Sequence, residues 1–424
     1  MFQYVNPLSI NGTYGTLENI YWGLPIVIYP FLSGLLAGSF VVGALYHLFN
    51  IEKLKPVSQL SLIASFAMLL LAAMAPLADA LQPSRAVWEL YFRDHFPYSP
   101  LGMFIIIWTI FVVAFLFELY YLFREHNIKR ALEDKGIRGK VSRLLTLGNM
   151  DLSKKSISRD HKALWIISIL GIILSVLFHG YVGFLFGAIK ARALWSDPVI
   201  PPMFIASAVV SGIAFVGLLY GVGFPLFSNK NKVEPDTLDV LNKSLVYAIF
   251  ADLFFDLIEW LYSVRGYNSK AVYDNWHAVY SFAGHGPLWF NYHVLQIGLG
   301  LIIPAFLFLI FKKIRRSLVW TLVLDFIVTV GVFEMRFDTV IGGQLPVKIG
   351  QGLAVLHIPF LGYDGYLTGI GLFGMGILLI FIFGYFLGWE HDPEELSVPP
   401  KPEYKFEWNG TKRETEEIKT DNNK

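Results

Sequence analysis

The 424-residue sequence contains no cysteine. This excludes disulfides, and it excludes iron–sulfur clusters and thiolate metal sites held by this chain alone. Charge is scarce: 16% of residues are Asp, Glu, Lys or Arg, against about 25% in a soluble domain. The two signs nearly cancel, leaving +1. A nucleic-acid partner needs a basic face and is therefore not expected. The start, "MFQYVNPLSINGTYGTLEN", has neither a basic opening nor a cleavage pattern, so no removable signal peptide is expected.

Apolar residues are abundant. They make up 55% of the chain, and the mean hydropathy is +0.52. A membrane helix needs about 20 mostly apolar residues. Nine segments qualify, roughly 22–49, 58–81, 101–123, 163–188, 203–227, 239–263, 288–311, 317–336 and 366–388. The expected fold is thus an all-α, multi-pass integral membrane protein. The segment after Gly388 is polar, Pro- and Glu-rich, a composition too poor in apolar residues to bury a core. The positive-inside rule sets orientation. With the N-terminus outside, 26 of the 34 basic residues fall in inner segments. The expectation is N-terminus out and C-terminus in, across a cytoplasmic membrane.

Two helices look alike. "IYPFLSGLLAGSFVVGALYHLF" (Ile28–Phe49) carries Ser33, Gly34, Ala37 and Gly38, and "PPMFIASAVVSGIAFVGLLYG" (Pro201–Gly221) carries Ala206, Ser207, Ser211 and Gly212. Such stripes let helix backbones approach in lipid. Pro30 and Pro202 are read as lying near each helix start, where a missing N–H costs little. Acids then recur at matching places: Asp79 in the second helix, and Asp252, Asp256 and Glu259 in the sixth. His179 and Glu334 occupy similar depths in the fourth and eighth. The pattern predicts two four-helix units of like orientation, 22–190 and 191–338. An outer N-terminal segment 1–21, an outer loop with a ninth helix at 339–388, and a disordered inner tail 389–424 complete the chain.

Ionisable groups in membrane spans are costly and suggest function. One set lies towards the outer face: Asp79, His179, Glu259, Glu334 and Arg336, with Gln82 and Arg85 in "APLADALQPSR". A second lies deeper or inward: His47, Glu118, Asp252, Asp256 and Asp325. Together they form a candidate proton relay of His47, Glu118, Asp252, Asp256, Glu259, Asp325 and Glu334. The structural alternative pairs Asp79 with Arg85 and Glu334 with Arg336 to pin helix ends. No metal site is expected. Haem would need facing histidines. His47, His179 and His293 are the candidates, but no two share a helix, so haem is not expected.

The segments "WGLPIVIYPFLSGLLAGSF", "APLADALQPSR" and "HGYVGFLFGAIKARALWSDPVIPPMFIASAVVSG" resemble the NrfD/PsrC family, the membrane subunits of polysulfide reductase-type complexes. The resemblance covers about the first eight helices; the ninth helix and the tail depart from the eight-helix pattern. It implies a haem-free subunit that reacts with a quinone, menaquinone or ubiquinone. It also implies an extracytoplasmic, ferredoxin-like iron–sulfur subunit docked on the outer face. That subunit would serve a catalytic subunit usually holding molybdenum (as molybdopterin) or, in some hydrogenases, nickel and iron. A quinone head group needs hydrogen-bond donors and a group that exchanges protons. His179 with Tyr181, and Asp79 with Gln82 and Arg85, supply these types, while Trp22 and Tyr29 would line an apolar slot. The chain itself would hold no catalytic residue. Competing readings are a proton- or anion-coupled transporter, and the anchor of a hydrogenase or of a b-haem quinol complex.

Overall fold

The computed structural model describes residues 20–79, 84, 98–227, 233–265, 269–283, 285–348 and 352–387. Among these described residues, nine long helices cross back and forth between two faces. They are α1 (Leu24–Phe49), α2 (Lys55–Asp79), α3 (Pro100–Glu133), α5 (Lys154–Gly187), α6 (Ile200–Phe227), α7 (Pro235–Arg265), α9 (Phe290–Ile310), α10 (Leu318–Gly342) and α11 (Tyr366–Leu387). Two short helices, α4 (Ile137–Leu145) and α8 (Lys270–Tyr280), lie in connections read as loops from sequence. We call the end where α1 begins the proximal face, and the other end the distal face.

Eight of the long helices, among the described residues, are apolar and long enough to cross a membrane. The ninth, α7, has the length, at 31 residues. It carries Asp252, Asp256 and Glu259 in its second half, which dilutes its apolarity. The chain is an all-α, multi-pass membrane protein. Helices α3 and α5 run 34 residues each, about 51 Å at 1.5 Å per residue. They outrun a hydrocarbon core of about 30 Å. Their distal ends therefore extend beyond the spans 101–123 and 163–188 expected from hydropathy. Helix α10 likewise continues to Gly342, so residues 339–342 are helix, not the start of a loop.

Helix α1 is apolar on every side and almost wholly buried, as a central helix should be. It packs against α2, α5, α6 and α10. The lipid-facing positions are elsewhere: Leu116 and Phe117 on α3, Leu177 on α5, Ile370 and Phe381 on α11 are exposed. Pro202 does fall in the first turn of α6. Pro30 does not fall in the first turn of α1, because the helix begins at Leu24 with Pro25 in that turn. Pro30 is interior. The Ser33 hydroxyl donates to its carbonyl at 3.1 Å.

The two similar stripes meet. A Cβ on Gly38 would collide with the Ala208 carbonyl and the Gly212 Cα, and one on Gly212 would collide with the Gly38 backbone. Backbone contact of this kind maximises dispersion where no water is expelled. Gly38→Leu is expected to cost at least the roughly 1–3 kcal/mol typical of overpacking, since the obstacle is backbone and has no alternative rotamer. Thermal unfolding of the reconstituted chain would read the loss; an unchanged midpoint would mean the crossing is looser than described.

The distal face is tied by polar contacts. Arg124 on α3 is fully buried and pairs with Asp160 on α5. Its guanidinium also donates to the Ser156 hydroxyl at 2.9 Å and the Asp151 carbonyl at 3.1 Å. The Ser153 backbone N–H holds the exposed Asp151 carboxyl below its usual range. Arg130 donates to the Phe386 carbonyl at 2.9 Å, and Arg138 lies 4.4 Å from the Tyr385 ring centre, fastening α11 to α3 and α4. Arg315 meets Asp239 at 2.8 Å, and Arg316 meets Asp236 at 2.6 Å.

Candidate functional site

Four helices place polar side chains together about 12 Å below the proximal face, a depth reckoned from the eight residues between His179 and the end of α5. His179 is fully buried. Its Nε2 lies 3.2 Å from an Arg336 Nη2 of α10, and its Nδ1 lies 3.1 Å from the Ser33 hydroxyl of α1. Arg336, also fully buried, donates to the Ser207 hydroxyl at 2.7 Å and the Phe204 carbonyl at 3.3 Å on α6. Its guanidinium carbon stands 3.9 Å from the Phe204 ring centre. Gly34 leaves the space: a Cβ there would stand 3.3 Å from the imidazole and 3.6 Å from the guanidinium.

The donors settle the protonation pattern. A guanidinium only donates, so His179 Nε2 accepts. Nδ1 then carries the hydrogen and donates to Ser33, whose hydroxyl donates on to Pro30. The imidazole is neutral as bonded. It can take a further proton only by giving up its bond to Arg336. Asp252 and Asp256 of α7 lie within electrostatic reach of the Arg336 charge. Both are buried, and both have carboxylate oxygens without a hydrogen-bond partner.

The remaining sequence candidates are placed as follows. Trp22 stacks on Trp195 at 5.2 Å, and its backbone exchanges hydrogen bonds with the Gln344 side chain at 3.0 Å each. Tyr29 is buried with its hydroxyl unpartnered and its ring edge-on to Phe104 at 5.8 Å. Asp79 ends α2 half-buried, one oxygen unpartnered, and the charge within its electrostatic reach is another acid, Asp364. Gln82 and Arg85 lie outside the described residues, and so does the Asp79–Arg85 pairing. Tyr181 does not join His179: its hydroxyl donates to the Pro100 carbonyl at 2.8 Å, tying α5 to the start of α3. Two residues apart on a helix, the side chains diverge by about 200°.

The relay candidates are scattered over several places. His47 and Ser58 meet at 3.0 Å near the distal face. Glu118, fully buried on α3, accepts from Ser168 at 2.8 Å. Asp325 on α10 is buried against Gly217 of α6 with one oxygen unpartnered. Asp252 and Asp256 lie by Arg336. Glu334 accepts from Asn291 at 2.7 Å. The alternative pairing of Glu334 with Arg336 is not formed: they are two residues apart on α10, and Arg336 turns inward to His179. Glu259 faces a separate polar cavity with Tyr280, Tyr292, Gln296 and Asp338.

Sequence reading left Ser33, Ser207 and Phe204 out of the candidate site and counted Arg336 only in the outer set. It did not single out Asp338, Tyr280, Tyr292 or Gln296. The available signal for Arg336 was a basic residue inside an otherwise apolar span. In the α5–α6 connection, Arg192 donates to the Pro346 carbonyl at 2.7 Å and the Trp195 indole to the Thr339 carbonyl at 2.6 Å. Burial pushes the Asp197 carboxyl up, against the Val199 N–H that it accepts.

Comparison with known proteins places this arrangement. The family model described as "Polysulphide reductase, NrfD" matches residues 12–348. A selenate reductase subunit of Mesobacillus selenatarsenatis is 31% identical over 69% of this chain and 68% of its own length. "Protein NrfD" of Escherichia coli is 27% identical over 78% of this chain and 97% of its own. The "Hdr-like menaquinol oxidoreductase integral membrane subunit" of Archaeoglobus fulgidus is 25% identical over 88% of this chain and 86% of its own. The family match takes in α1 to α10 together with every residue of the His179–Arg336 cluster, and the chain belongs to the NrfD polysulphide reductase family.

Proposed function

We propose that the chain is the quinone- or quinol-reacting membrane subunit of a respiratory oxidoreductase. The names of two relatives support a reductase or menaquinol oxidoreductase complex. The single observation that carries the reading is the His179–Arg336 cluster. A neutral imidazole, a guanidinium and two unpartnered acids are held together near one face. Quinol oxidation releases two electrons and two protons, and such a cluster is suited to receive protons. With no cysteine in the chain, the electrons pass to an iron–sulfur cluster of a partner subunit. In the opposite direction the same groups would supply protons to a quinone.

The head group is assigned to the proximal ends of α1, α2 and α3. Tyr29, Asp79 and Trp108 there present buried polar atoms with no partner, and Gln82 and Arg85 belong to the same assignment by sequence. Trp22 closes that end against Trp195. His179 acts as the proton-exchanging group behind the pocket. Tyr181 is better read as a helix tie. The proximal face is the extracytoplasmic one, where an iron–sulfur subunit and a catalytic subunit would dock, with α8 and its His277 contributing. Haem has no part in this scheme.

Inhibitor binding and quinol turnover test the scheme together. Tyr29→Phe is expected to weaken a quinone-analogue inhibitor several-fold by removing a donor. Asp325→Asn, deep on α10, is expected to slow turnover without changing inhibitor affinity. Unchanged inhibitor affinity in both Tyr29→Phe and Asp79→Asn would place the pocket elsewhere.

A further inference from the structure

A cavity of about 30 Å³ lies among the start of α6 and helices α7, α8, α9 and α10; its polar wall is Glu259, Tyr280, Tyr292, Gln296, Asp338 and Thr339, and Ile200, Met203 and Met335 add an apolar side. A water needs about 10–15 Å³ and two to four polar partners. The cavity therefore suits one or two waters and is far too small for a quinone ring. Three of its acceptor atoms lack a donor. Asp338 is 3% exposed with both carboxylate oxygens unpartnered, and Gln296 is 3% exposed with its amide oxygen unpartnered. The Tyr280 hydroxyl is already committed to the Asp338 backbone carbonyl at 2.8 Å.

The backbone is adapted to this spot. Residues Phe290–Ile302, which include Tyr292 and Gln296, are wound as a π-helix, and a second π-turn, Asp338–Gly342, starts at Asp338. Such turns are rare and concentrate at functional sites, because the wider winding re-aims side chains. Both π segments border the same cavity. The titratable groups facing Glu259 and Asp338 are Asp197 from the α5–α6 connection, Asp256 on α7, Tyr280 on α8, Tyr292 on α9 and Glu334 on α10. None of these is a cation. Arg336, two residues from Asp338, directs its two Nη groups to His179, Ser207, Phe204 and the Met335 sulfur, and its buried Nε has no partner.

We infer that this cavity is a hydrated proton-holding chamber in which Glu259 and Asp338 retain a proton through bound water. An isolated buried carboxylate is very costly and neutralises instead, and here two carboxyls meet without a balancing cation. The transfer makes and breaks only O–H bonds: a proton leaves one carboxyl, crosses water, and arrives at the other or at the proximal face. Glu259 is part-buried near the proximal end of α7. Asp256, one turn away on α7, provides the connection towards Arg336. The inference deepens the relay proposed above and rests on it for its use, though not for its existence.

The test is infrared spectroscopy of the full chain in lipid, without turnover. Near neutral pH, wild type is expected to show a protonated-carboxyl C=O stretch that shifts in deuterium oxide. Asp338→Asn and Glu259→Gln should each remove part of that band. If Asp338→Asn does not insert, the part-buried Glu259→Gln carries the same test. A band unchanged in both variants overturns the inference. So does a band lost when Na⁺ replaces K⁺, which would make the chamber a metal-cation site. A failed quinol assay alongside an intact band would count against the quinone reading alone.

Discussion

His179→Ala is expected to lower quinol-linked turnover at least tenfold, in line with general acid–base contributions of about 10²–10⁴. The substitution removes the acceptor of Arg336 and the donor to Ser33 in one step. It leaves the buried Arg336 guanidinium without its imidazole acceptor. The catalytic partner's activity with an artificial dye should survive, because the dye bypasses this chain. His179→Gln separates structure from chemistry. Its amide oxygen can accept from Arg336 and its amide nitrogen can donate to Ser33, but it cannot exchange a proton near neutral pH. Assembly restored without turnover marks proton exchange. Turnover restored along with assembly marks a purely structural histidine. Unchanged turnover in His179→Ala, with the complex intact, would move the reaction away from this cluster, towards Glu259 and Glu334.

At the opposite face, Arg124→Ala is expected to destabilise the chain by about 3–5 kcal/mol, the range for removing one partner of a buried ion pair. Arg124 is fully buried and Asp160 nearly so. Alanine would strand the Asp160 carboxylate, while the Ser156 hydroxyl would keep its hydrogen bond from Arg159. Thermal unfolding in a fixed lipid should show the loss. The double variant Arg124→Leu with Asp160→Leu should recover much of it, because apolar isosteres avoid the desolvation cost that the pair must repay. A single variant as stable as wild type would mean that water reaches the site and screens the charge. Neither outcome depends on quinone chemistry, so the experiment also gauges how far a variant in the His179 cluster acts through folding.

The membrane class and the number of crossings were legible in the sequence, because they are matters of composition and local period; the family resemblance rested on three motif-bearing segments. Twenty apolar residues in a row have few alternatives to a helix in lipid. The stripes in α1 and α6 announced close approach, though not that Gly38 and Gly212 would be each other's partners. Hydropathy undercounted α3 and α5 at their distal ends, where charged residues continue the helix past the bilayer. Pro30 is interior because Pro25, five residues earlier, takes the first-turn position.

The site was less legible. Spacing along one helix says which residues share a face, and His179, Asp252 and Asp256 stand out as ionisable groups in apolar spans. It does not say which helices are neighbours. His179 and Arg336 are 157 positions apart, and Ser33 and Ser207 look like ordinary small residues until α1, α5, α6 and α10 are assembled. Tyr181 seemed a natural companion for His179, yet helical geometry turned it towards Pro100. The cavity between Glu259 and Asp338 depends on two π-wound segments whose sequences show no interruption. Local sequence determined which segments cross the membrane. Which buried charges face each other was decided only by tertiary structure, since a buried polar atom must find its partner on whichever helix lies within about 3 Å.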